Sequence, residues 1–212
     1  MKQRGISLIV VLVALLIIGF AAVALLRSSD TSTLSAGNLA FKKTALAAGD
    51  TGTEVAINWL GDNATSVALF DDSPADGYYA TTAAACDMTG TRTPDDETDD
   101  VNWTDDDPGD NCNMDAITVA AGNGIPDGYT VSYVVNRMCN AAGNPGDVFA
   151  ADNVTPMICS SVGGGISEGS TRGAGSYGVT PLTGETQFYY RITTRVDGPR
   201  NTVRYIEVLV TL

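Results

Sequence analysis

The sequence contains no histidine and few basic residues, with 12 Lys and Arg against 25 Asp and Glu and a net charge of −13. The absence of histidine removes the commonest general acid–base group and the commonest ligand for zinc or copper. A strongly acidic surface repels the phosphate backbone of nucleic acids. We therefore expect a protein that is not an enzyme and binds no nucleic acid, and whose partners are basic proteins or divalent cations.

Charge is also absent from Ile6–Leu26, a run that follows Lys2 and Arg4 and ends before Arg27. A helix of this length spans about 30 Å, the thickness of the hydrocarbon core of a bilayer. The basic residues at its start predict that the N-terminus stays in the cytoplasm and that the rest of the chain lies outside. We assign residues 6–27 to a transmembrane helix. Two other interpretations are a plain anchor and a removed signal peptide, although the apolar region of signal peptides usually covers only about 7–15 residues.

The helical pattern does not end at Arg27, since an amphipathic stretch follows the polar residues Ser28–Thr33. Leu39 and Leu46 lie seven positions apart, as on one face of a helix. We predict a continuation of the helix over residues 28–60, interrupted near Gly49–Gly52. A helix that is half apolar and half amphipathic suits a protein that packs among like helices and carries a globular head.

The head predicted for residues 61–212 is rich in loops and ends in its clearest element, a β-hairpin over 187–212. Apolar residues alternate along Gln187–Val196 and Thr202–Leu212, and turn residues lie between these two strands. Tyr129–Met138 is a further predicted strand. The expected fold class is α+β, in which the long N-terminal helix packs on an antiparallel sheet. On the hairpin, Tyr189, Arg191 and Arg195 share a face that either contacts a partner or is simply solvated.

Four cysteines follow the apolar run, and no two of them form the close pair that a zinc ribbon requires. Beyond a membrane segment, an even number of cysteines is typical of disulfides in an oxidising compartment. Four cysteines allow three connectivities, among which sequence alone does not choose. We favour the pairing of neighbours in the chain, because neighbours close first and each bond would then join the ends of a loop. The favoured bonds are Cys86–Cys112 and Cys139–Cys159.

An acidic run occupies Asp95–Asp110, where nine of 16 residues are Asp or Glu and none is Lys or Arg. Calcium binds six to eight oxygen ligands and tolerates irregular loops, so it could neutralise such a run. The candidate ligands are Asp105, Asp107 and Asp110, although the run lacks the glycine that an EF-hand requires at its sixth position. The alternative is a solvated acidic loop without a metal. No other cofactor is indicated.

The N-terminus resembles that of type IV pilins in the segment Lys2-Gln3-Arg4-Gly5-Ile6-Ser7-Leu8 and in the apolar run that follows. The resemblance implies that residues 1–5 form a leader peptide, that a peptidase cuts between Gly5 and Ile6, and that the new N-terminus is methylated. The sequence departs from the family at Val10, where most pilins carry a glutamate that pairs with a neighbouring N-terminus. That departure is typical of certain minor components, including PilX-type minor pilins and the large tip pseudopilin of type II secretion.

Two further segments resemble PilX-type minor pilins, namely Ser35–Phe41 with its Ala-Gly-Asn element and the closing run Tyr190–Val203. The resemblance implies a pilus subunit that acts in assembly or priming near the tip and supports adhesion or motility. Its partners would be other pilins through the N-terminal helix, the inner membrane before assembly, and a tip adhesin. The head would lie in the periplasm of a Gram-negative bacterium and later on an extracellular pilus. The alternatives are a type II secretion pseudopilin and an anchored adhesin or binding protein that does not polymerise.

Overall fold

The structure is a computed structural model that describes residues 6–92, 95, 97–104, 112–163 and 186–212. Its one long helix, α1, spans Ile6–Asn63. The strands are β1 (Tyr78–Tyr79), β2 (Ile117–Thr118), β3 (Thr130–Arg137), β4 (Ser161–Val162), β5 (Gln187–Gly198) and β6 (Thr202–Thr211). Three short 3₁₀ helices cover Val67–Leu69, Pro74–Asp76 and Glu97–Asp99. The chain divides into two compact units, Met1–Thr44 and Ala45–Leu212.

The predicted α+β class is confirmed, with a difference in the sheet. β3 pairs with β5, and β5 pairs with β6, in antiparallel fashion, whereas β1 runs parallel to β3. The sheet is therefore mixed. β1 enters it through a loop after α1 rather than through a hairpin, so nothing forces it to run opposite to its neighbour. Two residues are too short to show a period in the sequence, and this strand was not predicted.

The hairpin of β5 and β6 forms where the alternation of apolar residues predicts it, with Tyr189 opposite Thr211 and Gly198 opposite Thr202. The turn lies slightly later than expected. It consists of Pro199, Arg200 and Asn201, and the last two have φ angles of +60° and +57°. Asparagine tolerates this left-handed region better than most residues.

The C-terminal part of α1 packs on the sheet through its smallest residues. Ala45, Ala48 and Ala56 are buried against Val131, Ile192 and Val196. The expected packing position Leu46 is 53% exposed. Alanines bring the helix backbone close to the strands, so the aliphatic strand residues fill the space between them. Fully burying each such Val or Ile contributes about 1.5–3 kcal/mol relative to leaving it exposed.

Gly49 and Gly52 are the points of closest approach and not the predicted interruption of the helix. A Cβ at Gly49 would overlap Ile206 and lie 3.0 Å from Val196 Cγ2. A Cβ at Gly52 would overlap Val131 and lie 3.0 Å from Thr194 Cγ2. The two positions of this turn that face the strands therefore have to lack a side chain. The helix runs through both glycines because the close packing of this turn on the strands offsets the low helix propensity of glycine.

The second face of the sheet is covered as well, which the sequence did not predict. Loops between β1 and β2 place a second apolar cluster over Val134 of β3, and its members include Tyr79, Met88, Val101, Trp103 and Met114. The ring of Trp103 lies 5.7 Å from that of Tyr205 on β6. The sheet thus lies between α1 and a layer of irregular loops, and seven consecutive residues of β3 are buried.

We predict that Gly49→Ala and Gly52→Ala each destabilise the protein by about 1–3 kcal/mol, because the added methyl group overfills a packed contact. Gly61→Ala is the matched control, since that position on the same helix has no atom within 4 Å of an added Cβ. The control is expected to be neutral or stabilising by up to about 1 kcal/mol. Thermal unfolding of the full-length protein in detergent, followed by near-ultraviolet circular dichroism, provides the comparison. Equal effects at all three positions would contradict the packing.

Candidate functional site

The uncharged part of α1 is the most apolar surface of the described chain. The side chains of Leu8–Leu26 are exposed, and the most apolar stretch of 18 residues has a mean hydropathy of 3.3. By length and composition, the helix is able to cross a membrane. Ile6 begins α1, and Val10 is 60% exposed on its surface. Gly5, the other residue of the predicted cleavage site, lies outside the described residues.

A groove on this surface includes Gly19 in its lining. Its volume is about 410 Å³, and its lining consists of Leu12, Leu15, Leu16, Gly19, Phe20 and Val23. No atom lies within 4 Å of a Cβ built on Gly19. The groove is thus a gap between large aliphatic side chains, of the size that a side chain from another helix could fill. Small residues on apolar helices commonly allow such close packing.

The polar segment after Arg27 is helical, and three of its hydroxyl groups bond to the helix itself. Thr31, Ser32 and Thr33 donate to the carbonyl oxygens four residues earlier, at distances of 2.9, 2.9 and 3.0 Å. Such bonds satisfy the hydroxyl donors without water. The helix continues through Ser28–Thr33, as the sequence predicts.

The two disulfides join the cysteines that are neighbours in the chain, as favoured from the sequence. Cys86 is bonded to Cys112, and Cys139 is bonded to Cys159. The first bond closes part of the loop layer over the second face of the sheet. The second closes a loop between β3 and β4, and Cys139 and Cys159 also form a β-bridge there. In the chain-entropy model, a closed loop of this size contributes about 3 kcal/mol.

The structure describes the borders of the acidic run and, within it, Asp95 and residues 97–104, whereas Asp105, Asp107 and Asp110 lie outside the described residues. At one border, Arg92 forms an ion pair of 3.2 Å with Asp99, so a basic residue offsets part of the charge. Asp87 is buried and accepts hydrogen bonds from the backbone N–H groups of Thr89 and Arg92. Its carboxylate therefore organises a turn. Among the described residues, no group of three Asp, Glu or Cys is placed to hold a metal ion.

The strand face of Tyr189, Arg191 and Arg195 is not a solvated surface. Arg191 donates to the carbonyl oxygen of Thr82 at 2.9 Å, and Arg195 pairs with Asp197 at 2.8 Å. Burial lowers the pKa of Arg191, and Glu207 partly opposes this effect. The loop layer occupies the side of the sheet on which a partner was considered, and these cations bond within the head.

A buried guanidinium that the sequence did not indicate lies at the end of β3. Arg137 is 0% exposed. It donates to the carbonyl oxygens of Ala80 at 3.1 Å, Leu69 at 2.7 Å and Ala141 at 3.2 Å. Among the described residues, its hydrogen-bond partners are carbonyl oxygens and not carboxylates. The planar fork of arginine, with five donors, can bond several carbonyl groups at once.

Two tyrosines stand beside this guanidinium. The hydroxyl of Tyr78 donates to the same Leu69 carbonyl oxygen at 2.7 Å, and the rings of Tyr78 and Tyr190 lie 6.5 Å apart. Burial raises the pKa of both tyrosines, and the charge of Arg137 lowers both in part. Arg137 thus joins the loop after α1, the residue after β1 and the loop after β3.

Comparison with protein-family models, with curated proteins and with solved structures finds no match to this chain.

We predict that Arg137→Met destabilises the protein by at least about 2 kcal/mol, because the carbonyl oxygens of Ala80 and Ala141 lose this donor and each loss costs about 1–3 kcal/mol. The carbonyl oxygen of Leu69 would keep the hydroxyl of Tyr78 as a donor. Arg204→Met on the exposed surface of β6 is the control and is expected to change stability by less than about 0.5 kcal/mol. Urea unfolding of the full-length protein in detergent measures both. A Met variant as stable as the control would show that the guanidinium does not hold these loops.

We also predict that any calcium-dependent stabilisation acts through the acidic run. Calcium at about a hundredfold excess over its dissociation constant would stabilise the folded state by about 2.7 kcal/mol. Thermal unfolding in millimolar calcium, and then in chelator, measures this effect. Replacement of Asp105, Asp107 and Asp110 by asparagine would abolish it. The same midpoint in calcium and in chelator would identify the run as a solvated loop.

Proposed function

We propose that this protein is a minor pilin of the PilX type, which is built into a type IV pilus or primes its assembly. The observation that carries the proposal is α1. Its first part is uncharged and exposes aliphatic side chains along Leu8–Leu26, and its last part forms the core of a disulfide-bonded head. This arrangement supplies one apolar helix for a shared bundle and one folded domain for the outside of a filament.

The mechanism would be an exchange of apolar surroundings. The aliphatic surface of α1 is stable in a bilayer and unstable in water, since each exposed CH₂ group costs about 0.8 kcal/mol. A bundle of like helices would bury this surface away from water, as lipid does. The subunit would first lie in the inner membrane with its head in the periplasm. Its apolar helix would then move into the core of the filament. The groove at Gly19 is a place where a neighbouring helix could pack closely.

Val10 bears on the position within the filament. In the family that the N-terminus resembles, a glutamate at this position pairs with the N-terminus of a neighbouring subunit. Valine cannot form this pair, and it offers only apolar contacts. A subunit at the tip has neighbours on one side only, so the absence of the pairing group costs least there. We therefore place the protein at or near the tip, where its head could support adhesion or motility, in contact with other pilins and a tip adhesin.

Two other functions share some of these features. A pseudopilin of a type II secretion system would have the same helix and the same processing, and would differ only in the machinery it joins. An anchored adhesin or binding protein would keep its N-terminus and would never leave the membrane. Processing at Gly5 separates the pilin-type proteins from the anchored protein, and the presence of the chain in sheared filaments separates a pilin from a pseudopilin.

We predict that the mature protein begins at Ile6 and carries a methylated N-terminus. Intact-mass spectrometry and N-terminal sequencing of the protein, isolated from cells with type IV pilus machinery, would measure both. Gly5→Leu is expected to leave the leader in place and keep the protein out of sheared filaments. Gly37→Ala, on an open surface of α1, is the control and should be processed normally. A mature chain that retains Met1, or one cut near Ala21–Ala24, would overturn the proposal.

A further inference from the structure

The head contains a cleft of about 600 Å³ between the loop that follows α1 and the loop closed by Cys139–Cys159. Its lining includes two aromatic rings, two carboxylates and two amides, from Phe70, Asp71, Asn144, Asp147, Phe149 and Asn153. The volume lies within the range of about 300–1,000 Å³ in which small ligands and side chains are bound.

The walls of this cleft are held in place by hydrogen bonds. The N–H of Gly143 donates to the carbonyl oxygen of Phe70 at 2.7 Å and so joins the two loops directly. Arg137 bonds to the carbonyl oxygens of Leu69 and Ala141, which lie one and two residues away from that contact. The cleft is thus formed before any ligand arrives, and little conformational entropy would be lost on binding.

The disulfide-closed loop is ordered within itself as well. Ala150 donates to the carbonyl oxygen of Thr155 at 2.8 Å, and Met157 donates to that of Val148 at 3.0 Å. In the turn between them, Asp152 accepts from the backbone and the hydroxyl of Thr155. The hydroxyl of Thr155 and the backbone N–H groups of the turn lower the pKa of Asp152. This turn fixes the segment that carries Phe149.

The polar groups of the cleft are mainly acceptors. The amide of Asn144 is already engaged, because it donates to Asp147 Oδ1 at 3.2 Å and accepts from the N–H of Gly146 at 3.0 Å. The carboxylate of Asp71 and the second oxygen of Asp147 remain to accept from a ligand. Among the described residues that line the cleft, none is Lys or Arg. A ligand that fits must bring donors and positive charge.

The aromatic rings of the cleft also restrict which ligands fit, because a ligand has to cover them with apolar or cationic groups. Phe149 is 48% exposed, although burying a phenyl ring contributes more free energy than burying most other side chains. Arginine offers an apolar stem, a planar cation that stacks on aromatic rings and a fork of donors that matches a carboxylate. Lysine offers the stem and the charge. Both the acceptors and the rings of the cleft therefore favour a basic side chain.

We propose that this cleft binds an arginine- or lysine-bearing segment of a partner protein. The charge of the whole chain agrees with this choice, since a net charge of −13 attracts a basic partner and repels a second copy of the same protein. The inference does not depend on whether the protein enters a pilus, because it rests on the head alone. A neutral carbohydrate would use the same rings and amides but would not require the carboxylates.

Binding can be observed at the cleft itself with fluorine-labelled phenylalanine. The chain has five phenylalanines, at positions 20, 41, 70, 149 and 188. The labelled full-length protein in nonionic detergent would be titrated with an acetylated and amidated tetra-arginine peptide. The fluorine signals of Phe70 and Phe149, assigned from single Phe→Leu variants, are expected to move. Those of Phe20 and Phe41 on α1 are expected to stay. The same peptide with citrulline in place of arginine keeps the shape without the charge and should not bind.

Matched variants test the carboxylates. Asp71→Asn with Asp147→Asn should weaken peptide binding about two- to thirtyfold, because exposed ion pairs contribute about 0.2–1 kcal/mol each. Asp62→Asn with Asp127→Asn removes the same charge from exposed positions that do not line the cleft and should change the affinity less than about twofold. Phe149→Leu should also weaken binding.

Three outcomes would overturn the proposal. The citrulline peptide could bind as tightly as the arginine peptide, or the control pair of aspartates could matter as much as the pair in the cleft. The third outcome is a shift of the Phe149 signal with neutral oligosaccharides and not with the arginine peptide, which would identify the cleft as a carbohydrate site.

Discussion

The head is built around a cation that has no carboxylate among its described partners. Arg137 is buried at the end of β3, and it supplies donors to backbone carbonyl oxygens in three segments that lie outside α1 and the long strands. Irregular segments leave such carbonyl groups without partners, and a buried carbonyl without a donor is costly. The side chain of Arg137 donates to such carbonyl groups in the loops on either side of the cleft. Replacing it with an apolar residue of similar size would remove the donors and leave buried carbonyl oxygens without a hydrogen bond.

A second constraint is the closeness of α1 to the sheet. The contact at Gly49 and Gly52 brings the helix backbone against β3, β5 and β6, and the apolar residues beneath it form one core. The opposite face of the same strands carries another core under irregular loops, which the Cys86–Cys112 bond closes. The strands are therefore buried on both sides. In a head with so many loops, a sheet protected on both faces provides the rigid part to which the loops are attached.

The features that follow from local periodicity could be predicted from the sequence. The alternation in Gln187–Val196 and Thr202–Leu212 predicts a hairpin, and the uncharged run from Ile6 predicts a long apolar helix. Gly49 and Gly52 were misinterpreted because a glycine that interrupts a helix and one that allows close contact look the same in a sequence. The buried role of Arg137 could not be predicted, because its hydrogen-bond partners lie up to 68 residues away in the chain. Every residue has a backbone carbonyl group, so the sequence does not show which of them accept from a side chain. The cleft depends on the same distant contacts, so only the disulfide that closes one of its walls could be anticipated.

The hydroxyl bonds of Thr31, Ser32 and Thr33 bear on the depth at which α1 could lie in a bilayer. A hydroxyl group in contact with water gives up a solvent hydrogen bond when it enters an apolar medium, and this cost would normally fix the depth of the helix. Here the donors already bond to carbonyl oxygens of α1, so these three hydroxyl groups lose little on either side of the lipid boundary. Asp30 is the one formal charge between Arg27 and Lys42. In a bilayer, the charges of Arg27 and Asp30 would therefore set the vertical position of the helix more than the hydroxyl groups of Thr31, Ser32 and Thr33.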